Sequence, residues 1–80
     1  MNVFVCDDLF EIIGRGVLAA GHFPSFSITI GDHLWFYYER KKIYFCAKVL
    51  ETQNIRNITG YKAVALLLDD RNMPKDLLKI

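Results

Sequence analysis

The sequence predicts a small all-β domain, a barrel or a sandwich, and three observations carry that prediction. Val, Ile, Thr, Phe, Tyr and Trp, which fit a pleated surface, dominate the middle of the chain. Ile43, Phe45, Ala47 and Val49 alternate with Lys42, Tyr44, Cys46 and Lys48, a clean period of two. Strand signals recur at intervals of roughly eight to twelve residues between turn-forming clusters. With 80 residues the chain holds a single domain, residues 1–80, because no second core can be built from what is left over.

Taken in order, Leu9 to Ile13 reads as a short buried strand and Val17 to Phe23 as another. Gly14-Arg15-Gly16 turns the chain between them. A helix over Arg15 to Ala20 is opposed by Gly16 and Gly21 and ended by Pro24. Gly21, inside the second strand, marks a bulge or a barrel corner. Pro24 and Ser25 punctuate the chain before Ile28-Thr29-Ile30. Gly31-Asp32 then turns into the strand Trp35-Phe36-Tyr37-Tyr38, which leaves through the polar hairpin Glu39-Arg40-Lys41-Lys42. The alternating segment follows, with its odd-numbered residues toward a core. Gly60 precedes the strand Ala63 to Leu68, which stops at Asp69-Asp70-Arg71-Asn72. Only the tail is helix-like, with Pro74 at a first helical position before Lys75-Asp76-Leu77-Leu78.

Composition excludes several functional classes. Hydrophobic residues make up 52% and charged residues 24%, which rules out a disordered chain. The net charge of +1 argues against nucleic-acid binding driven by the charge of the whole surface. Cys6 and Cys46 are too few for a disulfide scaffold and lack CxxC spacing, and no secretory leader opens the chain. A cytoplasmic protein with reduced thiols is expected. The longest apolar runs fall far short of the roughly 20 residues that span a bilayer, so no membrane partner is expected.

Gly14-Arg15-Gly16-Val17-Leu18-Ala19 matches the dinucleotide fingerprint G-x-G-x-x-G/A, with Glu39 near the offset of a ribose-binding acid. That fingerprint works only where a helix begins at the glycines and offers its amides to a pyrophosphate. Gly21, Pro24, Ser25 and Ser27 leave no room for such a helix. The glycines are therefore backbone devices, and no bound nucleotide is expected.

Phe10-Glu11-Ile12-Ile13-Gly14-Arg15-Gly16, then Gly21, then Ile30-Gly31-Asp32 resembles the second, β-barrel domain of translational GTPases of the elongation factor Tu type. Gly60 leading into Val64-Ala65-Leu66-Leu67-Leu68, and Asp7-Asp8 before Leu9-Phe10, are similar to further family segments. The resemblance implies a small closed or partly open antiparallel β-barrel, to which the residues from Pro74 on add a short C-terminal helical turn. It also implies a domain without an active site, since the family's nucleotide chemistry lies in a preceding P-loop domain. No G-x-x-x-x-G-K-[ST] occurs here. Where the family surface that holds tRNA carries an asparagine and an arginine, this chain has Lys62 and Leu68. Phe26 replaces a usual glycine, the loop between Glu51 and Gly60 is about two residues shorter, and the chain stops at Ile80 where family members continue into a final strand. An unpaired edge inviting a partner strand is the expectation that follows.

Candidate contacts for RNA or another anion are Arg15, Arg40, Lys41, Lys42 and Lys62. Arg15 either meets an anion or braces its turn by hydrogen bonds to neighbouring carbonyls. Arg40-Lys41-Lys42 is the only basic run and, with Lys48 and Lys62, makes a candidate RNA-facing patch. Phe36 and Tyr38 share parity with Leu34 and face the core, which leaves Trp35 and Tyr37 outward beside His33. Outward aromatics stack bases, anchor a protein partner, or lie beneath the tail around Leu77 and Leu78. Cys46 has the outward parity. His22, His33, Cys6 and Cys46 show no zinc-ligand spacing, so neither metal nor cofactor is expected. No residue is marked out for catalysis. The expected function is a non-catalytic binding module for RNA or a translation or ribosomal component, acting through loops and one strand face. The alternative is a protein-interaction or assembly module that kept the barrel and lost RNA binding, which the residues at 62 and 68 favour.

Overall fold

Two long, bent strands decide the architecture. The computed structural model describes residues 2–22, 24–56, 62–71, 73–74 and 76–78. It contains β1 (Val3–Ile12), β2 (Gly16–His22), β3 (His33–Tyr38), β4 (Ile43–Arg56) and β5 (Lys62–Leu68). These close into a barrel in the order β1-β2-β5-β4-β3. Residues 3–6 of β1 pair with β3, and from Cys6 onward β1 pairs with β2. Residues 43–48 of β4 pair with β3, and from Val49 onward β4 pairs with β5.

Each change of partner falls at a bulge, between Cys6 and Asp8 in β1 and between Val49 and Glu51 in β4. An extra residue on one strand bends it and sharpens the twist, which is what rolls a sheet into a closed barrel. It also reverses the parity of the faces. Phe4 and Cys6 point inward before the first bulge, and Leu9 packs on the core after it. Gly21 stands opposite Cys6 at this corner. A β-carbon there would run into the Val5 carbonyl oxygen, so only a bare backbone fits.

Closure corrects two expectations. The sheet has no open edge, because β1 and β3, which stand at the two ends of the order, pair in parallel, Val3 opposite Trp35 and Cys6 opposite Tyr38. The barrel is therefore not wholly antiparallel. The ladder continues past the strand end, where the Glu39 N–H donates to the Cys6 carbonyl at 3.1 Å. Further, β4 extends to Arg56, through a stretch that read as loop after Glu51.

The interior is filled by Phe4, Phe36, Phe45, Ala47, Val49, Leu66 and Leu68, among others, in one cluster. Odd-numbered residues of β4 face it up to Val49, as the alternation requires. Phe36 meets Phe4 edge-on at 5.7 Å and stacks on Phe45 at 5.2 Å. Ile28-Thr29-Ile30 is not a strand; this segment lays Phe26 and Ile28 against the core instead. The turn after it closes by Asp32 N–H to the Thr29 carbonyl at 3.0 Å and Thr29 N–H to the Asp32 carboxylate at 3.2 Å. Gly31, at φ 98°, belongs to that turn. Of the tail, residues 76–78 form a turn, with Leu77 N–H donating to the Pro74 carbonyl at 3.2 Å. Leu77 is only 1% exposed and plugs the core. No helix of the described residues is long and apolar enough to cross a membrane.

Candidate binding face

Alternation places every second residue of β3 and β4 outside the barrel, and the register brings them side by side. The outward pairs are His33 with Lys48, Trp35 with Cys46 and Tyr37 with Tyr44. On the far side of β3, β1 adds Val3 beside Trp35 and Val5 beside Tyr37. Trp35 remains 42% exposed, Val5 44% and Tyr44 60%. Tyr37 and Tyr44 touch, their ring centres 4.6 Å apart at a tilt of 41°. The outcome is a contiguous apolar, ring-bearing surface over three strands, with none of the outward residues of β3 or the facing part of β4 acidic.

At the His33 and Lys48 end this surface drops into a hollow of about 590 Å³, walled by Trp35, Tyr44, Asp69, Arg71 and Pro74. Arg71 donates to both carboxylate oxygens of Asp69 at 2.5 to 3.0 Å. That pairing pulls the Asp69 carboxyl down to about 2, so the wall keeps one carboxylate and one guanidinium at neutral pH. Leu77 and Leu78 border Glu11, Val17 and Met73, while Pro74 of the same tail shares the hollow with Trp35 and Tyr44.

The basic candidates are scattered, and several have partners within the chain. Arg15 reaches both carboxylate oxygens of Glu51 at 3.1 Å, bridging from the β1–β2 turn to β4. The brace is thus an ion pair with a strand, and not a set of carbonyl hydrogen bonds. It spans the outer face of β5, over Leu67 and Leu18, away from the aromatic surface. Arg40 contacts Asp8 at 2.6 Å, and the Lys41 ammonium donates to the Asp76 carbonyl at 2.8 Å. These two, with exposed Lys42 at φ 55°, form the hairpin that follows the Tyr37–Tyr44 pair. Lys62 opens β5 opposite Arg56, with its side chain outside the described residues, and Gly60 lies wholly outside them. Gly14, at φ 79°, and Gly16, at φ 134°, carry the β1–β2 turn. His22 lies 3.4 Å from the Asp7 carboxylate, and no cluster of three metal-ligating side chains forms among the described residues.

Tyr44 and Val5 belong to the face although sequence reasoning did not single them out. Tyr44 was within reach, since it shares its parity with Cys46 in the alternating segment. Val5 was not, because the bulge at Asp7 hides the strand that carries it.

The two cysteines sit on opposite sides of the wall. Cys6 is fully buried, its thiol donates to the Tyr37 carbonyl at 3.4 Å, and burial pushes its pKa up to about 12. Cys46 is exposed between the aromatics. A chromogenic disulfide reagent at pH 8 should therefore react fast with one thiol, and with the second only on unfolding. Two fast thiols in the folded chain would contradict this arrangement. The folded chain also holds the Cys6 proton above its ordinary value of 9.0. Stability is therefore intact below that pH and falls as pH rises toward 12.

No protein-family model matches the chain, and no curated protein or solved structure does so either.

Proposed function

We propose that this chain is a non-catalytic binding module that engages RNA, or a translation or ribosomal component, through the outer face of β3 and β4. The observation that carries the reading is the cluster of exposed Val5, Trp35 and Tyr44 around half-buried Tyr37. Contiguous exposed apolar surface on a small domain marks an interaction site. Its rings suit bases or an apolar partner, and the basic hairpin beside it suits phosphates. The likeness of residues 10–16, Gly21 and residues 30–32 to the second domain of elongation factor Tu-like GTPases supports the RNA reading. That likeness carries with it a protein of the translation machinery, working in the cytoplasm.

A second reading, a protein-interaction or assembly module, is favoured by one specific observation. Glu51 and Asp8 already neutralise Arg15 and Arg40, leaving fewer cations for a phosphate backbone. The two separate by an amide-resolved NMR titration of the labelled chain with bulk tRNA at low and then moderate salt. Salt-sensitive shifts concentrated on residues 33–48 are the expected result. A well-dispersed spectrum that ignores tRNA overturns the RNA reading and leaves the protein partner.

A further inference from the structure

We infer that the β3–β4 ladder is a stacking track for a single-stranded nucleic acid, with Trp35 and the Tyr37–Tyr44 pair as its platforms. The inference rests on the binding-module reading and narrows its partner. Along the ladder the outward residues run in a fixed order. His33 and Lys48 come first, Trp35 with Cys46 next, then Tyr37 with Tyr44, and the hairpin of Arg40, Lys41 and Lys42 last. Rings thus occupy the middle, over six residues of β3 or roughly 20 Å. Lys48 stands at one end and Lys42 at the other, beside Arg40 paired with Asp8 and Lys41 donating to the Asp76 carbonyl. That pattern fits a flat, ring-bearing polyanion, whose bases meet the rings while its phosphates reach the ends.

Charge selects this occupant over an apolar peptide. The outward positions of β3 and the paired part of β4 hold no carboxylate, and the Asp69 carboxylate at the margin is held by Arg71. Geometry selects a single strand over a duplex. The platforms lie on a convex barrel wall, and bases within a duplex are already stacked on each other and offer only their edges. The hollow beside Trp35, about 590 Å³ and walled in part by Lys48 and the Asp69–Arg71 pair, gives an unstacked base somewhere to enter.

Trp35 is the only tryptophan, so its emission reports on the platform directly. The test titrates the full chain with a 12-nucleotide oligouridylate and with a 12-base-pair RNA duplex, at low salt. The oligouridylate should quench Trp35 emission, and the duplex should leave it unchanged. Anisotropy of a labelled oligouridylate then reads the variants. Trp35→Ala and Tyr44→Ala, each checked for an intact fold by circular dichroism, should weaken binding about 5- to 150-fold, the range of one lost stacking contact. Lys48→Gln should lower the salt slope by about one. Equal binding of strand and duplex, or variants within twofold of the parent, overturns the stacking track. If tRNA still shifts residues 33–48 in that event, the binding-module reading survives alone. If neither tRNA nor the oligouridylate acts on the face, the stacking track and the RNA reading fall together and the protein partner is left.

Discussion

Phe36→Ala is expected to remove a large part of the chain's stability. Phe36 is completely buried, and it holds the centre of the aromatic core with Phe4 at 5.7 Å and Phe45 at 5.2 Å. Removing such a ring forfeits its transfer free energy and leaves a cavity, together about 3–5 kcal/mol. A domain of 80 residues has about 4–12 kcal/mol in total, at roughly 0.05–0.15 kcal/mol per residue. The loss is therefore about a quarter of the whole or more, and all of it at the low end of that range. The site cannot readily collapse, because the neighbouring rings belong to β1 and β4, whose positions the closed ladder fixes. Urea unfolding followed by Trp35 fluorescence measures the effect as a lower midpoint at similar slope. Tyr44→Ala, at a side chain 60% exposed, serves as the comparison and should cost far less. Near-equal midpoints for the two variants would show that the core does not depend on this ring.

The same ladder explains what the sequence revealed and what it concealed. A period of two is readable only while parity holds. It holds from Ile43 to Val49, so the inward and outward sets of that segment, Cys46 included, could be assigned from residue types alone. At the bulge between Val49 and Glu51 that parity breaks. Glu51 turns outward to meet Arg15, and Thr52 pairs with the inward-facing Leu66. Past that point the pattern stops resembling a strand, and residues 52–56 read as loop. The bulge at Asp7 does the same to β1. Phe4 and Cys6 face inward before it and Leu9 after it, so only the later half gave a strand signal.

Contacts between distant residues were hidden for a different reason. The parallel pairing of β1 with β3 and the Arg15–Glu51 bridge join positions about thirty or more residues apart. No local propensity encodes such a choice. What the sequence did carry was the means of making it, namely glycines where backbones crowd and apolar residues on the faces that meet. The outward aromatics were legible in part, because Trp35 and Tyr37 sit in a strand without a bulge. Their neighbours on β1 and β4 became part of one surface only through the register.

Gly16→Ala is expected to be the most damaging of the glycine substitutions in the β1–β2 turn. Gly16 has φ 134°, a conformation that L residues rarely adopt, and a β-carbon there would drive into the Leu68 carbonyl oxygen. Two costs then add. Backbone strain of this kind is about 1–3 kcal/mol, and forcing an extra methyl against packed backbone adds about 1–3 kcal/mol more. The obstacle is main chain rather than a flexible side chain, and Leu68 is itself fully buried in the core, so β5 cannot simply step aside. Gly14 provides the internal control. It also has positive φ, at 79°, but nothing lies within 4 Å of the place a β-carbon would take. Gly14→Ala should therefore show the strain alone, and the difference between the two urea midpoints isolates the crowding. Equal midpoints would mean that β5 yields at Leu68. The tight seating of the β1–β2 hairpin on β5 would then not be what holds that side of the barrel shut.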